Sequence, residues 1–422
     1  MKRLLVAATC AAGMVFLASC GARQTQADGT ITLTVWESTN GPDEFIRQAG
    51  EIYSRTHPDI TIKYVNVELA DAVNKLKLDG PAGKAADVFA SSNDRLSSLV
   101  TGGHILATKN PEEVRARALP ACAAALTNDG VLYGYPVSAE TYALFYNRAL
   151  ISDDEVPKTW EELSSWAQKF NRANPEKYGF VMNVGEGYYT IVFTTADGNR
   201  LFGADGTDRE HTNINSAASV KGMKFFQTLR AALPVPAADL DTATVDGVFQ
   251  SGNAAMHISG PWNVLPFGKA GVDFGVAPLP ALPGDTKPAA SFSGTRTMFV
   301  SAYTDHPDEA NDFARFLMSD EMQALRFTLT GALPSIMIDV ESPYVHGFLE
   351  QLEYAFPMPS VPEMAMYWEA MNSASKNIWD GADVQPELDA CNAAIVGSNN
   401  TEQREGNFIW KLYQLTRPRQ KK

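Results

Sequence analysis

The sequence predicts an α/β fold divided into two lobes, and three observations support this prediction. Apolar segments with a period of two alternate along the chain with segments whose apolar residues share one helical face, an order that favours a sheet covered by helices. About 390 residues follow Thr30, whereas a typical domain has about 100 to 200. Hydrophobic residues make up 45% of the chain, which is enough to form two substantial cores.

The alternation of strands and helices is clearest after Thr30. Ile31, Leu33 and Val35 alternate with threonines, which predicts a strand. A helix follows, in which Phe45 and Tyr53 mark the buried face. The next predicted elements are a strand over 60–67, a helix over 70–78 and a strand over 87–90. This succession fits the α/β class.

Three later segments carry local signals. Thr159 with Glu162 three residues on forms a capping box, which predicts the start of a helix that runs toward Asn171. A second helix is predicted over 307–318 from its apolar face. Proline and glycine cluster over 277–288, which predicts a long surface connection and a crossing between the lobes.

The N-terminus predicts export and lipid anchoring. Lys2 and Arg3 precede an apolar run over 4–17 that is too short to span a bilayer, so residues 1–19 are predicted to be a signal peptide. The run ends in the letters LASCG, which resemble the bacterial lipobox, so Cys20 is predicted to carry the lipid and 20–30 to be a tether. The alternative is an ordinary signal peptide cleaved nearby, with Cys20 incidental. We expect the folded body to lie on the extracellular face of the cytoplasmic membrane, held by this lipid.

Charge and cysteine content exclude several classes of function. The formal net charge is −14, which argues against nucleic acid and anionic lipid as partners. Cys122 and Cys391 remain once the signal is removed and Cys20 is lipidated, too few for a disulfide framework. We expect each to be a small buried residue, with a single bridge between them as the alternative. The six histidines are scattered singly, so we expect neither a metal nor another cofactor.

Four stretches of sequence carry a resemblance to a known family. They are residues 134–163 with GYPVSAE, LFYN and PKTWEEL, residues 183–198 with NVGEGYY and ADG, residues 249–262 with FQSGNAAM and SGPW, and residues 358–368 with MPSVP and MYW. In this order and spacing they resemble the family 1 extracellular solute-binding proteins, the family of the maltose- and maltodextrin-binding proteins. The resemblance covers roughly residues 32–396.

The resemblance implies the type II periplasmic-binding-protein fold, with two discontinuous lobes around a central ligand cleft. The implied division is 31–138 plus 286–334 for the first lobe, 139–285 plus 335–396 for the second, and a tail over 397–422. It further implies that the lobes close over an oligosaccharide, most simply a maltodextrin, and deliver it to an ABC-type permease with a cytoplasmic ATPase. We expect the protein to act as a monomer.

The chemistry of sugars explains which residues such a cleft needs. A pyranose offers apolar C–H faces to aromatic rings and a rim of hydroxyls to carboxylates, amides or arginine. By position in the matching motifs, the resemblance assigns the sugar contacts to seven residues: Asp94, Arg95, Glu140, Glu186, Tyr188, Trp262 and Trp368. Each has an ordinary alternative, because tryptophan is most often a core residue and an aspartate before a helix is a common N-cap.

Five further positions form a second tier of candidates. Asn40 and Gly41 stand where maltose binders commonly place an aspartate and a lysine, Ser91 stands where an aromatic residue is expected, and Asn372 replaces a basic residue. Asp71 is the candidate counterpart of a glutamate that the family carries on the second helix of the first lobe. Tyr189 is the alternative to Tyr188 as the aromatic platform. These departures leave another α-glucoside or a galactoside open as the ligand.

Two other classes of function compete with this prediction. A hydrolase would use two carboxylates about 5 to 10 Å apart, for which Glu140 and Glu186 are the candidates. The sequence has no Gly-x-Ser-x-Gly motif and no histidine pair at zinc spacing, so we expect no enzyme. A surface interaction lipoprotein would have the same fold and is therefore the harder alternative to separate.

Overall fold

The computed structural model describes residues 30–338, 340 and 342–397. The predicted signal peptide, Cys20 and the tether before Thr30 lie outside the described residues, as does the predicted tail after Gly397.

The described chain alternates strands and helices as an α/β protein does. The strands are β1 (Ile31–Glu37), β2 (Ile60–Asn66), β3 (Val88–Ser92), β4 (Thr127–Asn128), β5 (Val131–Leu132), β6 (Tyr135–Glu140), β7 (Ala143–Asn147), β8 (Met256–Ser259), β9 (Phe274–Ala277), β10 (Phe292–Val300) and β11 (Phe356–Pro357). The first helices are α1 (Pro42–Thr56), α2 (Leu69–Asp79), α3 (Leu96–Thr101), α4 (Pro111–Arg117), α5 (Pro120–Ala125), α6 (Trp160–Ala173) and α7 (Gly187–Thr194). The later helices are α8 (Ala217–Thr228), α9 (Thr242–Gln250), α10 (Val264–Lys269), α11 (Pro307–Phe316), α12 (Asp320–Thr330), α13 (Val345–Leu352), α14 (Met364–Trp379) and α15 (384–397).

The larger sheet has six strands, and β10 pairs with three of the others. Its order is β11-β10-β3-β1-β2, with β6 also paired to β10. β1 runs parallel to β2 and β3, whereas β10 runs antiparallel to both β3 and β6. Consequently the C-terminal ends of β3 and β6 lie on either side of the N-terminal half of β10.

The smaller sheet has three strands in the order β8-β7-β9, and both outer strands run antiparallel to β7. β7 is buried throughout, as expected for the central strand of a sheet covered by helices. The two sheets are joined in sequence by the short link between β6 and β7, which begins at the end of β6 with Glu140.

The elements predicted from apolar periodicity are confirmed. The strands at 31–35, 60–67 and 87–90 correspond to β1, β2 and β3, and the helices between them to α1 and α2. α1 buries Phe45, Ala49 and Tyr53 on one face. The Thr159–Glu162 capping box is present at the start of α6, where the Glu162 N–H donates to Thr159 Oγ1 at 3.2 Å. The helix predicted over 307–318 is α11.

The prediction of a surface connection over 277–288 is wrong for its first half. Leu279, Ala281 and Leu282 are buried, and Ala281 exchanges backbone hydrogen bonds with the chain that leads into α6. The proline and glycine residues thus mark a segment that is irregular and partly buried. Its buried backbone polar groups still have partners, because the Leu279 N–H donates to the side chain of Gln351 in α13 and other groups bond to neighbouring backbone. Thr286 and Lys287 are exposed, as predicted.

Two separate hydrophobic clusters form the cores. The first joins β1, β2, β3 and β6 to α1, α11 and the end of β10, and the second gathers β7, β8, α6, α7, α8 and α14. The lobe boundaries given above stay predictions. Ala289 and Phe292 pack in the second cluster, whereas Met298 and Ile336 pack in the first. The start of β10 therefore contributes to one core and its end to the other.

Two further observations concern the membrane and the thiols. Within the part of the chain that the structure describes, no helix combines the length and the apolar character that crossing a bilayer requires. Cys122 and Cys391 are buried free thiols, as expected from the first of the two alternatives. Burial raises the pKa of the Cys122 thiol to about 11, which keeps it protonated at neutral pH.

Candidate functional site

The pairing of β10 with both β3 and β6 brings polar residues from distant parts of the sequence together. Arg296 of β10 lies opposite Ser92 at the end of β3, and Gly294 lies opposite Glu140 at the end of β6. Asp94 follows two residues after Ser92, in the 3-10 turn Asn93–Arg95. Because ligands of open α/β sheets bind where strands end in loops, this edge of the sheet is the natural place for a site.

A cavity of about 460 Å³ lies at this edge, which falls within the common size range of small-molecule sites. We call it the aromatic chamber. All seven residues predicted from the family motifs line it, together with Tyr189 of the second tier. The complete lining is Leu69, Ala70, Ser92, Asp94, Arg95, Glu140, Glu186, Tyr188, Tyr189, Trp262, Gly294, Arg296, Met358 and Trp368.

The carboxylate of Asp94 is the centre of a polar network on one wall of the aromatic chamber. Ser92 Oγ donates to one of its oxygens, and Arg95 Nε lies 3.2 Å from the other. Trp368 Nε1 also donates to that second oxygen at 3.1 Å. Asp94 is only 5% exposed, so these donors compensate the loss of water around a buried carboxylate.

Aromatic side chains form another part of the lining of the aromatic chamber. The rings of Tyr188 and Trp262 lie 6.3 Å apart, and Tyr142 packs edge-on against Tyr188 from behind at 4.9 Å. Trp368 is held by the neighbouring ring of Tyr367 at 5.0 Å. Rings fixed in this way keep their exposed faces for an apolar ligand surface at little entropic cost.

Glu186 and Trp262 are each positioned by a specific neighbour. Thr242 Oγ1 donates to Glu186 Oε1 at 3.0 Å, and Asn183 Nδ2 in turn donates to Thr242 Oγ1 at 2.8 Å. The indole of Trp262 lies over Gly260, where an added Cβ would come within 2.2 Å of its ring atoms. Glycine at this position therefore permits the observed orientation of Trp262.

A second cavity of about 820 Å³ adjoins the first, with Glu140, Trp262 and Arg296 bordering both. We call it the Asn40 chamber. Its lining is Ser38, Thr39, Asn40, Gly41, Pro42, Glu44, Ala139, Glu140, Gln250, Pro261, Trp262, Asn263, Leu265, Pro266, Lys269, Arg296, Arg326, Leu329, Thr330 and Ala332. The two chambers together form an extended cleft between elements of the two cores.

Two arginines and two glutamates form a charge cluster under this cleft. Arg296 donates to both carboxylate oxygens of Glu37, and Arg326 Nη1 lies 3.6 Å from Glu37 Oε2. Burial alone would raise the pKa of Glu37, but the attraction of Arg296 and Arg326 outweighs it and lowers this pKa. For Glu140 burial prevails over the same two arginines, so the pKa of Glu140 is raised. Burial lowers the pKa of Arg326 to about 10.

The second-tier candidates lie in different places. Tyr189 lines the aromatic chamber and Asn40 lines the Asn40 chamber. Ser91 is fully buried and lines neither, and Asp71 is exposed at the start of α2 outside both linings. Asn372 lies behind the aromatic chamber, where its Oδ1 accepts a hydrogen bond from the Gly187 N–H at 2.6 Å.

The two arginines of the charge cluster, Arg296 and Arg326, are among the cleft residues that were not predicted from the sequence. A signal for Arg296 was available, because it is the one charged residue in the strand β10, and a charge within a sheet strand requires a partner when it is buried. Arg326 gave no such signal, since arginine is an ordinary residue on an amphipathic helix such as α12.

The cleft can bind a neutral ligand that has both apolar faces and many hydroxyls. Its aromatic rings suit C–H faces, and its carboxylates and guanidinium groups suit hydroxyls. Among the described residues, no group of three or more histidine, cysteine, aspartate or glutamate side chains is arranged to hold a metal ion.

Comparison with known proteins yields a family and several relatives. Residues 48–338 match the family described as bacterial extracellular solute-binding protein. The chain is 30% identical to a galactooligosaccharide-binding protein of Bacillus subtilis, over 92% of this chain and 95% of that protein. It is 28% identical to a maltodextrin-binding protein of the same organism, over 85% of this chain and 88% of that one.

A solved structure gives the same result for the fold. The crystal structure of a cyclo/maltodextrin-binding protein complexed with maltotetraose has a TM-score of 0.75 and 34% sequence identity to this chain. The match covers 87% of this chain and 97% of the other. The predicted two-lobed fold of type II is thereby confirmed.

Proposed function

We propose that this protein, which belongs to the family of bacterial extracellular solute-binding proteins, binds an oligosaccharide of the maltodextrin class and delivers it to an ABC-type permease. The observation that carries the proposal is the aromatic chamber, which is lined both by three aromatic platforms and by a set of charged hydrogen-bonding groups. Relatives named for maltodextrin and for galactooligosaccharide support an oligosaccharide as the ligand.

The physical basis is that the aromatic and the polar side chains of the chamber recognise different parts of a sugar. Tyr188, Trp262 and Trp368 would stack on the C–H faces of sugar rings, while Asp94, Glu140 and Glu186 accept hydrogen bonds from hydroxyls. A micromolar affinity needs about −8 kcal/mol, which two or three stacked rings and several buried hydrogen bonds can supply. The protein binds its ligand without changing it chemically.

The proposal includes where the protein works and with which partners. A lipid on Cys20 would hold the body at the extracellular face of the cytoplasmic membrane, as a monomer. Transport energy would come from the permease and its ATPase, because binding alone moves nothing across a membrane.

A galactooligosaccharide is the second candidate ligand. It is favoured by the 30% identity to a galactooligosaccharide-binding protein over 92% of this chain. The two classes of sugar differ in the configuration of their hydroxyls and in their linkage. The aromatic platforms can stack on both classes, whereas the polar side chains of the chamber distinguish them through the positions of the hydroxyls.

The experiment that tests the proposal is isothermal titration of the chain from Gly21 onward. The panel contains maltose, maltotriose, longer maltodextrins, trehalose, sucrose, raffinose and galactooligosaccharides. Saturable binding of maltodextrins is the expected result. Binding of galactooligosaccharides alone would keep the transport role and replace the ligand, whereas no binding across the panel would contradict the proposal and favour a surface interaction protein.

A pair of tryptophan variants tests the site itself. Trp262→Ala removes a platform that borders both chambers and is expected to weaken binding at least tenfold, about 1.4 kcal/mol or more. Trp166→Ala is the matched control, because Trp166 stacks on Phe170 of α6 at 5.0 Å, away from both linings. An unchanged affinity in Trp262→Ala would place the site elsewhere.

A further inference from the structure

His257 is a buried histidine that joins two separate segments of the second core. It lies in β8, is 1% exposed, and packs beside the rings of Phe249 and Phe267 at 5.6 and 6.0 Å. Its Nε2 atom lies 2.7 Å from Asp246 Oδ1 of α9, and its Nδ1 atom lies 3.2 Å from the Val181 carbonyl oxygen. An ionised carboxylate and a carbonyl oxygen only accept hydrogen bonds, so either ring nitrogen has a partner when it carries a proton.

The two partners of His257 belong to the two segments that place Glu186. Val181 begins the segment that leads to Glu186. Asp246 lies four residues after Thr242 on α9, so the two side chains lie on the same face of this helix. Thr242 is the residue that donates to Glu186 Oε1 at 3.0 Å. The same two segments are therefore joined twice, once through His257 and once through the hydrogen bond that holds Glu186.

The charge of Asp246 acts on a residue of the aromatic chamber. Burial raises the pKa of Tyr189, and the negative charges of Asp246 and Glu186 add to this effect. Tyr189 lines the aromatic chamber together with Glu186, whereas neither His257 nor Asp246 lines either chamber. The pair of His257 and Asp246 thus lies near the lining without being part of it.

We propose that His257 is a positioning residue for ligand binding, which fixes α9 against the segment that leads to Glu186 and so holds the Glu186 carboxylate in the aromatic chamber. His257 does not touch the ligand itself. When its hydrogen bond to Asp246 is lost, α9 can move relative to that segment, and Thr242 no longer fixes Glu186. This inference rests on the proposed binding of an oligosaccharide and identifies a residue that prepares the cleft for it.

The test uses two substitutions that each keep one of the two hydrogen bonds. The amide nitrogen of glutamine reaches the position of Nε2, so His257→Gln keeps the bond to Asp246. The shorter asparagine reaches the position of Nδ1, so His257→Asn keeps only the bond to Val181. Isothermal titration uses maltotriose, or the galactooligosaccharide that the wild type prefers. We expect Kd to rise about tenfold in His257→Asn and less than about threefold in His257→Gln.

A double variant tests whether the effect passes through Thr242. Thr242→Val removes the hydroxyl that donates to Glu186 and should itself weaken binding. Because His257 acts on the same carboxylate, adding His257→Asn to Thr242→Val should raise Kd by a smaller factor than it does in the wild type. Factors that multiply fully would show that the two residues act independently and would overturn the proposal.

Trp379→Phe is the matched control for stability. It removes the buried hydrogen bond from Trp379 Nε1 to the Val235 carbonyl oxygen, which has a length of 2.8 Å and lies in the same core but outside both linings. We expect a lower unfolding temperature and an unchanged affinity in this variant. A loss of affinity equal to that in His257→Asn would show that loss of stability alone weakens binding, against the proposal.

A second pair of variants covers the case in which His257→Asn does not fold, as judged by circular dichroism. Asp246→Ala removes the same hydrogen bond from a side chain that is 21% exposed, and Asp246→Asn keeps an acceptor oxygen for His257. Affinity should fall in the alanine variant and stay near the wild type in the asparagine variant. Equal losses within either pair of variants would overturn the positioning role. Failure of the wild type to bind any sugar would instead contradict the proposed function.

Discussion

At the scale of residues, two glutamates in one charge cluster have opposite electrostatic roles. Glu37 is held by Arg296 and Arg326, which lower its pKa although burial opposes them. Glu140 borders both chambers, and its burial raises its pKa despite the same arginines. A carboxylate with a raised pKa in a cavity lining is a candidate for a functional role, which agrees with the proposal that Glu140 accepts hydrogen bonds from a ligand.

Replacing Glu140 by glutamine should separate stability from binding. The pKa of Glu140 is raised in the folded protein, so its negative charge lowers the free energy of unfolding at pH values above that raised pKa. Below the ordinary value of 4.5 the side chain is protonated in both the folded and the unfolded state, and this loss of stability disappears. Glu140→Gln is therefore expected to raise the unfolding temperature of the ligand-free protein at pH 7, with the difference disappearing near pH 4. Its affinity for the oligosaccharide should fall at least tenfold. Thermal unfolding at both pH values and titration at pH 7 measure these effects.

Glu37→Gln is the matched control for this variant. The folded-state pKa of Glu37 is lowered, so its contribution to stability is present above 4.5 and is lost as pH falls through the lowered value. The glutamine variant should thus be less stable than the wild type at pH 7, with the deficit shrinking in acid. A lower unfolding temperature for Glu140→Gln at pH 7 would contradict the assignment of Glu140 as a half-buried carboxylate whose charge is unfavourable in the folded protein.

At the scale of elements, the start of α7 shows how the site is held in place. Gly187 begins this helix, and Glu186 and Tyr188 flank it on the wall of the aromatic chamber. The Gly187 N–H donates to Asn372 Oδ1 of α14, and Tyr367 of the same helix donates to the Gly187 carbonyl oxygen at 2.9 Å. α14 also carries Trp368, so one helix positions platforms on two elements.

Asn372→Ala should disturb binding although Asn372 lines neither chamber. It leaves the buried Gly187 N–H without its acceptor, which costs about 1–3 kcal/mol of stability. We expect a severalfold loss of affinity as Glu186 and Tyr188 shift. Asn372→Asp keeps an acceptor oxygen and should restore affinity toward the wild type. Equal losses in the alanine and aspartate variants would show that the Gly187 contact does not position the site.

At the scale of the whole molecule, hydrogen bonds cross the cleft between parts of the chain that pack in different cores. Trp368, packed against the second cluster, donates to Asp94, which belongs to the turn after β3 of the first. Asn93 Nδ2 donates to the Met358 carbonyl oxygen at 3.1 Å, while its Oδ1 accepts from the Thr295 N–H at 2.9 Å. These contacts link the walls of the cleft beside the strand β10 that connects them.

Lobe closure is therefore expected to be coupled to ligand binding. A ligand shifts the equilibrium toward closure only through contacts that it makes in the closed form, and both walls of the aromatic chamber supply such contacts. Small-angle scattering should show a smaller radius of gyration with saturating oligosaccharide than without it, from a ligand-free value of about 21 Å or more. A sugar that does not bind in titration is the control, and an unchanged radius with the bound ligand would contradict closure.

The sequence by itself was enough to predict the local helices and strands and the aromatic and charged residues that line the aromatic chamber. Alternating residues such as Ile31, Leu33 and Val35 and the Thr159–Glu162 capping box predict their elements correctly, because periodicity and capping depend on neighbours in the chain. The seven predicted contact residues line one cavity because their motifs follow a family pattern.

Only the tertiary structure decided the rest. It placed Arg296 and Arg326 under the cleft, moved Asn372 behind the chamber and buried Leu279 and Leu282 in a segment predicted to lie on the surface. These outcomes depend on which strand lies beside β10 and which helix covers a loop. Such long-range pairings are set by the packing of the whole chain. The sequence of β10 indicates that Arg296 needs a partner, but no local pattern identifies that partner.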